Sequence, residues 1–286
     1  MKRTAAFVAV CAILLLLCAC GRKTTEIRLS TDGKEESGAH VIDAALFYST
    51  EDGFLHKGKP DGEIFESEYY SGSGNELTLN GLDLVIRGNC GIYFKDDVSV
   101  ILSPGTENII SLETDTGSSS AYALDAEGNL SISGGNLEIN TLGTCSLVGC
   151  IACAGNLEVS SSTLSLSAVS AERGSYCIYC DGDLSVSGSK ISAGSGDAAY
   201  PYCIVCRSFV SDGSNLILSC GKCTESTLDT SCCVYADSDI RLVSGFCSFD
   251  CGKAGKKISL YSENGAIYAD LTVDYFVSGA TSIIYN

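Results

Sequence analysis

Paired cysteines are the residues of this chain whose types and spacing could do chemistry. They form three CxxC motifs, Cys150/Cys153, Cys177/Cys180 and Cys203/Cys206. A CxxC motif supplies half of a four-thiolate zinc site, and two in sequence resemble a zinc ribbon with a longer spacer than usual. The same motif can instead form a redox pair. Asp181 and Asp183 directly follow the second motif, and carboxylates are the ligands that calcium prefers.

A sequence repeat surrounds these motifs. Five stretches share residue classes at matching positions: Leu124–Ile139, Ile151–Leu166, Ile178–Ala193, Ile204–Leu218 and Val234–Phe249. Their first residues are separated by 27, 27, 26 and 30 positions. Self-similarity at such a period is typical of a solenoid, in which each coil buries its apolar residues against its neighbours.

Within each repeat, apolar residues alternate with polar ones, as Leu130 and Ile132 do with Ser131. Alternation over short runs indicates strands, and Gly and Ser pairs interrupt the runs at matching places. We therefore predict an all-β chain that forms a parallel β-helix, a solenoid of about 27 residues per coil. An antiparallel sandwich is the alternative architecture, but it does not need the same residue classes to recur at a fixed spacing.

The repeat offers a simpler explanation of the cysteines. Cys150, Cys177, Cys203 and Cys233 align in one column. Cys153, Cys180 and Cys206 align in another, which Ala126 and Ala236 continue. Exchange with Ala indicates an inward position for a small side chain, and free Cys packs as a small hydrophobe. Two alternatives stay open: a metal site, and disulfides between coils, since stacked strands lie about 4.8 Å apart.

The N-terminus predicts export. Lys2 and Arg3 precede an apolar run that ends at Cys20, as in a secretory signal peptide. The sequence Leu-Cys-Ala-Cys before this point resembles a bacterial lipoprotein site, which implies cleavage before Cys20 and lipidation of its thiol; an ordinary signal peptide is the alternative. We expect a signal peptide over 1–19, a polar tether over 20–39, an N-terminal cap over 40–75 and the β-helix with its closing coil over 76–286. The expected location is extracytoplasmic, with a lipid anchor in the cell membrane.

The charge excludes one class of partner. With residues 1–19 removed, 16 basic residues face 35 acidic ones, a formal charge of −19. Such a field repels nucleic acid and anionic lipid surfaces, so we expect no DNA or RNA partner.

Three stretches resemble a known family. They are LTLNGLDLVIRGNCGIYFKDDVSVILSPGTENII (residues 77–110), GNLSISGGNLEI (128–139) and GDLSVSGSKIS (182–192). They are similar to the coils of a carbohydrate-binding β-helix family found in clostridial and other gut or cellulolytic bacteria. The resemblance covers roughly residues 75–250. It implies a right-handed β-helix shaped like a pectate lyase, binding of extracellular polysaccharide without established catalysis, and calcium between coils.

Two turn columns depart from the family pattern, in which Asp usually precedes Gly. The first column reads Glu127, Ala154, Asp181, Arg207 and Asp237, and the column two residues later reads Asn129, Asn156, Asp183, Phe209 and Asp239. Ala154 and Arg207 interrupt a continuous run of carboxylates. The candidate calcium ligands are therefore Asp181, Asp183, Asp237 and Asp239.

Catalytic residues are harder to find. His40 and His56 are the only histidines and precede the repeats, which argues against a His-based triad or zincin. A lyase of the pectate type would need calcium carboxylates beside Arg173 or Arg207 as base. The competing explanation is that Asp181-Gly-Asp183 makes a tight turn through side-chain to backbone hydrogen bonds. No catalytic residue is assigned.

Tyrosines predict a binding surface. Tyr122, Tyr176 and Tyr202 share one column, Tyr179 and Tyr235 share a second outward column, and Tyr200 lies on an adjoining loop. Exposed tyrosine rings offer faces for sugar rings, although strand propensity alone could also explain them. The sequence thus predicts a lipid-anchored surface protein that binds extracellular polysaccharide without catalysis. The alternatives are a polysaccharide lyase and a structural or adhesive surface protein.

The cysteine columns generate a first prediction. If the thiols are packing groups, the lipid-free domain binds no stoichiometric zinc. Elemental analysis of the purified domain measures this, and one zinc per chain would contradict the packing interpretation.

Overall fold

The computed structural model describes residues 39–114, 117–225, 230–252, 254, 256–269 and 273–278. The predicted signal peptide, the lipidated Cys20 and nearly all of the predicted tether lie outside these residues. Every regular element in the described ranges is a β-strand. No membrane-crossing helix is found among the residues so described.

The first ten strands include two long ones that turn a corner. They are β1 (His40–Ile42), β2 (Leu46–Tyr48), β3 (Leu55–Lys57), β4 (Tyr70–Ser73), β5 (Glu76–Leu79), β6 (Asp83–Arg87), β7 (Cys90–Phe94), β8 (Val98–Thr114), β9 (Ser120–Ala126) and β10 (Leu130–Gly143). From β11 on, each coil contributes three short strands: β11 (Leu147–Cys153), β12 (Leu157–Ser160), β13 (Thr163–Ser167), β14 (Gly174–Cys180), β15 (Asp183–Ser187), β16 (Lys190–Gly194), β17 (Tyr200–Cys206), β18 (Ser208–Asp212), β19 (Ser214–Ser219), β20 (Thr230–Ala236), β21 (Ile240–Leu242), β22 (Gly245–Asp250), β23 (Lys256–Ser262), β24 (Ile267–Ala269) and β25 (Val273–Ser278).

These strands stack into three parallel ladders, which we name faces A, B and C. Face A contains β5, the first part of β8 and of β10, β12, β15, β18, β21 and β24. Face B contains β1, β6, the later parts of β8 and β10, β13, β16, β19, β22 and β25. Face C contains β2, β7, β9, β11, β14, β17, β20 and β23. The predicted parallel β-helix is confirmed.

The register reproduces the sequence alignment. On face C, Leu124 pairs with Ile151, Ile151 with Ile178, Ile178 with Ile204 and Ile204 with Val234. These are the same residues that begin the five repeats. The spacing of about 27 residues is therefore the length of one turn of the solenoid.

One residue of the predicted turn columns was placed wrongly. Phe209 was aligned with Asp183, but Asp183 pairs with Ser208, and Phe209 pairs with Leu184 and Ile240. The turn between β17 and β18 is one residue shorter than its counterparts, which shifts the following strand. Phe209 therefore fills the interior of the solenoid, fully buried, instead of the exposed turn.

At the N-terminal end, residues 40–75 contain both coil strands and hairpins. β1 and β2 pair in parallel with β6 and β7 and so belong to the first coil. β3 and β4 are antiparallel to β2 and β5. The Tyr48 hydroxyl donates to the carbonyl oxygens of Gly74 and Glu76. The antiparallel strands pair with edges that would otherwise offer free N–H and C=O groups.

The interior is filled by aligned apolar side chains and thiols. All fourteen cysteines of the described chain are free thiols, and thirteen of them are buried, Cys90 being half-buried. In the second cysteine column, Cys153 pairs with Ala126 on one side and with Cys180 on the other, and Cys206 pairs with Ala236. The prediction that these positions face inward is confirmed.

The corner between faces A and B is a repeated polar turn. Ser161, Gly188 and Gly213 occupy it with φ of 51°, 54° and 61°, the left-handed region that favours glycine. The next residue of each turn is a buried serine. Ser189 Oγ accepts from Ser162 N at 3.1 Å, and Ser214 Oγ accepts from Ser189 N at 3.2 Å. These hydroxyls pair backbone donors that the bend removes from the ladders.

Inward packing on face A generates a second prediction. Replacing the fully buried Leu184 by Ala should cost about 2–5 kcal/mol of unfolding free energy, because it removes contacts and leaves a cavity between coils. The outward Ser185→Ala on the same strand should change stability by less than about 0.5 kcal/mol. Urea unfolding followed by circular dichroism measures both. Equal losses would contradict the assignment of inside and outside.

Candidate functional site

The turns between faces C and A are held by a hydrogen-bond ladder. Asp97 Oδ1 accepts from Asn129 N at 2.7 Å, and Asn129 Oδ1 accepts from Asn156 N at 2.8 Å. Asn156 Oδ1 then accepts from Asp183 N at 2.9 Å. Each side chain thus pairs a backbone donor of the next coil, which is the turn-forming role expected of Asn and Asp.

Arg207 occupies the end of this ladder. Its Nε donates to Asp183 Oδ1 at 2.8 Å and its Nη2 donates to Asp183 Oδ2 at 2.6 Å. These hydrogen bonds hold the pKa of the Asp183 carboxyl below its usual range. Both carboxylate oxygens of one predicted calcium ligand therefore bind the guanidinium that was a candidate base.

The other predicted calcium ligands have separate surroundings. Asp239 Oδ1 accepts from Ala266 N at 2.9 Å, so it supports the next turn. Asp181 and Asp237 are exposed. Across the described ranges, no group of three or more His, Cys, Asp or Glu side chains is arranged to hold a metal ion. Arg173, the other candidate base, is exposed and precedes β14.

The predicted tyrosines all lie on face C. Tyr122 pairs with Gly149, Gly149 with Tyr176 and Tyr176 with Tyr202. The second column follows three residues later, where Tyr179 pairs with Val205 and Val205 pairs with Tyr235.

Strict alternation cannot turn both columns outward, because their residues are three positions apart. In β14, Cys177 and Ile178 are both buried, while Tyr176 and Tyr179 on either side are half-exposed. The pairing register passes over the cysteine in every coil. Two consecutive inward residues therefore interrupt the alternation and let both tyrosines reach the surface.

The rings form one continuous array, which we name the tyrosine band. Centroid distances are 5.7 Å for Tyr176–Tyr179, 6.3 Å for Tyr176–Tyr202, 6.1 Å for Tyr200–Tyr202, 5.9 Å for Tyr202–Tyr235 and 5.4 Å for Tyr235–Tyr261. The band is defined as Tyr122, Tyr176, Tyr179, Tyr200, Tyr202, Tyr235 and Tyr261. The Tyr202 and Tyr235 rings are nearly parallel, at 4°.

Two members show how the band extends. Tyr122 extends it towards the N-terminus, because its ring lies over Gly149, where a Cβ would meet the ring at 2.8 Å. Tyr261 was missed from the sequence because it lies in the imperfect closing coil. Its spacing of 26 residues from Tyr235 could have revealed it, since the two residues pair in register.

Carboxylates follow the band along the turns to face A. The Tyr235 hydroxyl donates to Glu263, and Tyr179 and Tyr93 form corresponding hydrogen bonds with Asp181 and Glu127. Burial, with the nearby carboxylates adding to it, raises the pKa of the Tyr179 and Tyr235 hydroxyls. These hydroxyls therefore stay protonated and act as donors at neutral pH.

Two open grooves adjoin the band. One, of about 230 Å³, forms where Cys232 takes the place of a tyrosine, and Tyr202, Tyr235, Tyr261, Lys256 and Glu263 surround it. The other, of about 520 Å³, runs along the turns that lead into face C. Its walls carry small polar residues, among them Ser118, Ser146, Ser170 and Glu172. Aromatic rings, carboxylates and hydroxyls thus share one side of the solenoid.

Comparison with known proteins identifies no relative. No protein family, no curated protein and no solved structure matches this chain.

Proposed function

We propose that this protein binds extracellular polysaccharide through the tyrosine band and does not cleave it. The observation that supports this is the run of contacting, partly exposed rings, which follows face C from β14 to β23. Sugar rings stack on aromatic faces, and the tyrosine hydroxyl stays available to water and ligand. A surface that repeats with each coil suits a polymer that also repeats.

Polar groups beside the band would supply orientation. Carboxylates that already accept from a tyrosine hydroxyl, such as Glu263, keep further lone pairs for sugar hydroxyls. The serine-rich groove adds neutral donors and acceptors on the opposite border. Binding sites of this kind combine apolar contact area with a few placed polar groups.

The sign of the charge favours a neutral polysaccharide. Asp125, Glu127, Asp181, Asp237 and Glu263 lie on face C or on the turns that follow it, and four of the five are exposed. The whole chain carries a formal charge of −17. A polyuronate would approach this surface against like charge, whereas a neutral glycan would not.

The proposed setting is the outer surface of a membrane. Cleavage before Cys20 and lipidation of its thiol would leave the polar tether between the membrane and the β-helix. Metabolic labelling with a lipid precursor, compared with a Cys20→Ala variant, tests this part separately from glycan binding.

Removing two rings generates a third prediction. Tyr176→Ala combined with Tyr179→Ala should weaken glycan binding roughly tenfold or more, since each lost aromatic contact is worth about 0.5–1.5 kcal/mol. Tyr268→Ala is the matched control, because Tyr268 is an exposed tyrosine on face A. A glycan array followed by affinity electrophoresis measures both variants. Unchanged binding by the double variant would show that the band is not the binding surface.

Charge selection generates a fourth prediction. At low salt, neutral glucans, mannans or xylans should bind at least tenfold more tightly than polygalacturonate or alginate, and added salt should narrow the gap through screening. Equal or tighter binding of the polyuronates would contradict the charge argument.

The same glycan panel, repeated with calcium and with a chelator, tests the calcium site predicted at the four aspartates. An unsaturated product that absorbs in the ultraviolet would identify a lyase instead. A blank array with capture of a protein partner would favour the adhesive alternative.

A further inference from the structure

Four buried thiols form a zigzag inside the C-terminal half of the solenoid. Cys203 Sγ lies 3.6 Å from Cys220 Sγ, Cys220 Sγ lies 3.5 Å from Cys233 Sγ, and Cys233 Sγ lies 3.4 Å from Cys251 Sγ. All four residues are at most 4% exposed. The glycan surface does not use these groups, which point into the interior.

The four thiols belong to two columns that face each other. Cys203 and Cys233 are inward residues of face C in successive coils. Cys220 and Cys251 each follow a face B strand, directly after the register pair Ser219 and Asp250. The zigzag therefore contains the same pair twice, Cys203 with Cys220 and Cys233 with Cys251, one pair in each coil.

The second column holds cysteine only in these two coils. Ala168 and Ser195 take the equivalent position in the two preceding coils, opposite Cys150 and Cys177. The face C cysteines thus gain a cysteine partner within their own coil only from Cys203 onwards. The spacing of the repeat lengthens at the same place, to 30 residues between Ile204 and Val234.

We propose that Cys203–Cys220 and Cys233–Cys251 are disulfide pairs, which cross-link face C to the end of face B in two successive coils. Formation needs a disulfide-bearing oxidant. One thiolate attacks the oxidant's disulfide and releases one thiolate, and the second cysteine then attacks the mixed disulfide and releases the other. Two cysteine protons are lost, the cysteines give up two electrons, and the oxidant disulfide is reduced to two thiols.

The geometry requires only a local adjustment. Disulfide sulfurs lie about 2.05 Å apart, so each pair must close by about 1.5 Å, within the reach of side-chain rotation. Burial raises the pKa of the Cys220 thiol. A buried, protonated thiol reacts slowly, so the bonds form while the coils assemble and not in the completed solenoid.

Repeat symmetry selects these pairs over the remaining contact. A Cys220–Cys233 bond would join two coils and leave Cys203 and Cys251 without a partner from this zigzag. The two proposed bonds use all four thiols, and they close loops of similar length, with sequence separations of 17 and 18 residues. Each bond should raise the midpoint of thermal unfolding by about 10 °C, since loops of this size restrict the unfolded chain.

Refolding in a redox buffer tests this fifth prediction. The full-length mature chain is unfolded with reductant and refolded with reduced and oxidised glutathione. Free thiols are then alkylated, and non-reduced peptides are mapped by mass spectrometry. We expect both linked peptides and a higher unfolding midpoint than in the fully reduced protein. Complete alkylation of the four cysteines, a Cys220–Cys233 peptide, or a stoichiometric metal bound by the four thiols would overturn the proposal.

Matched variants separate cross-linking from packing. Cys220→Ala with Cys251→Ala should abolish the difference in midpoint between oxidised and reduced protein, and Ala168 shows that alanine fits this column. Cys153→Ala with Cys180→Ala should keep the full difference, and Ala126 shows the same for that column. Loss of the difference in the second variant as well would contradict the assignment. Peptide mapping of the wild-type chain decides the pairing even if a variant fails to fold.

Discussion

Stacking of successive coils in parallel register is the interaction on which the rest of this structure depends. Each strand satisfies its backbone donors and acceptors only through the coil above and the coil below. Every side chain is thereby placed directly over its equivalent in the next coil. Columns must consequently be compatible in size on the inside and in charge on the outside, and most features of the sequence follow from these two demands.

Inside, the demand is for uniform size. Cysteine and alanine exchange freely in the column that contains Cys153 and Cys180, because both side chains are small and apolar. Outside, the demand is to avoid like charges at short distance. The turn ladder meets it with neutral Asn129 and Asn156, and with Arg207 bound to Asp183. The same column that looked like an interrupted metal site is thus a set of turn supports.

The tyrosine band is the outward consequence of the same stacking. Rings at equivalent positions come within 5.4–6.3 Å of each other without any contact close in sequence. Contact along the band buries part of each ring, while one face or edge stays accessible. The interruption of alternation at the inward cysteines doubles the number of tyrosines that a coil can present. The packing of the interior and the proposed binding surface therefore share one structural cause.

The sequence by itself determined the period, the strands, the inward columns and six of the seven tyrosines of the band, because these depend on residue type at a fixed repeat. It could not place Phe209 or Tyr261, which lie where the coil length changes or the repeat becomes imperfect. Only the tertiary structure joined Arg207 to Asp183 and brought Cys220 and Cys251 against Cys203 and Cys233. Alignment of repeats shows what lies above and below a residue. It is silent about what lies across the interior, because that distance depends on how three faces close around a common core.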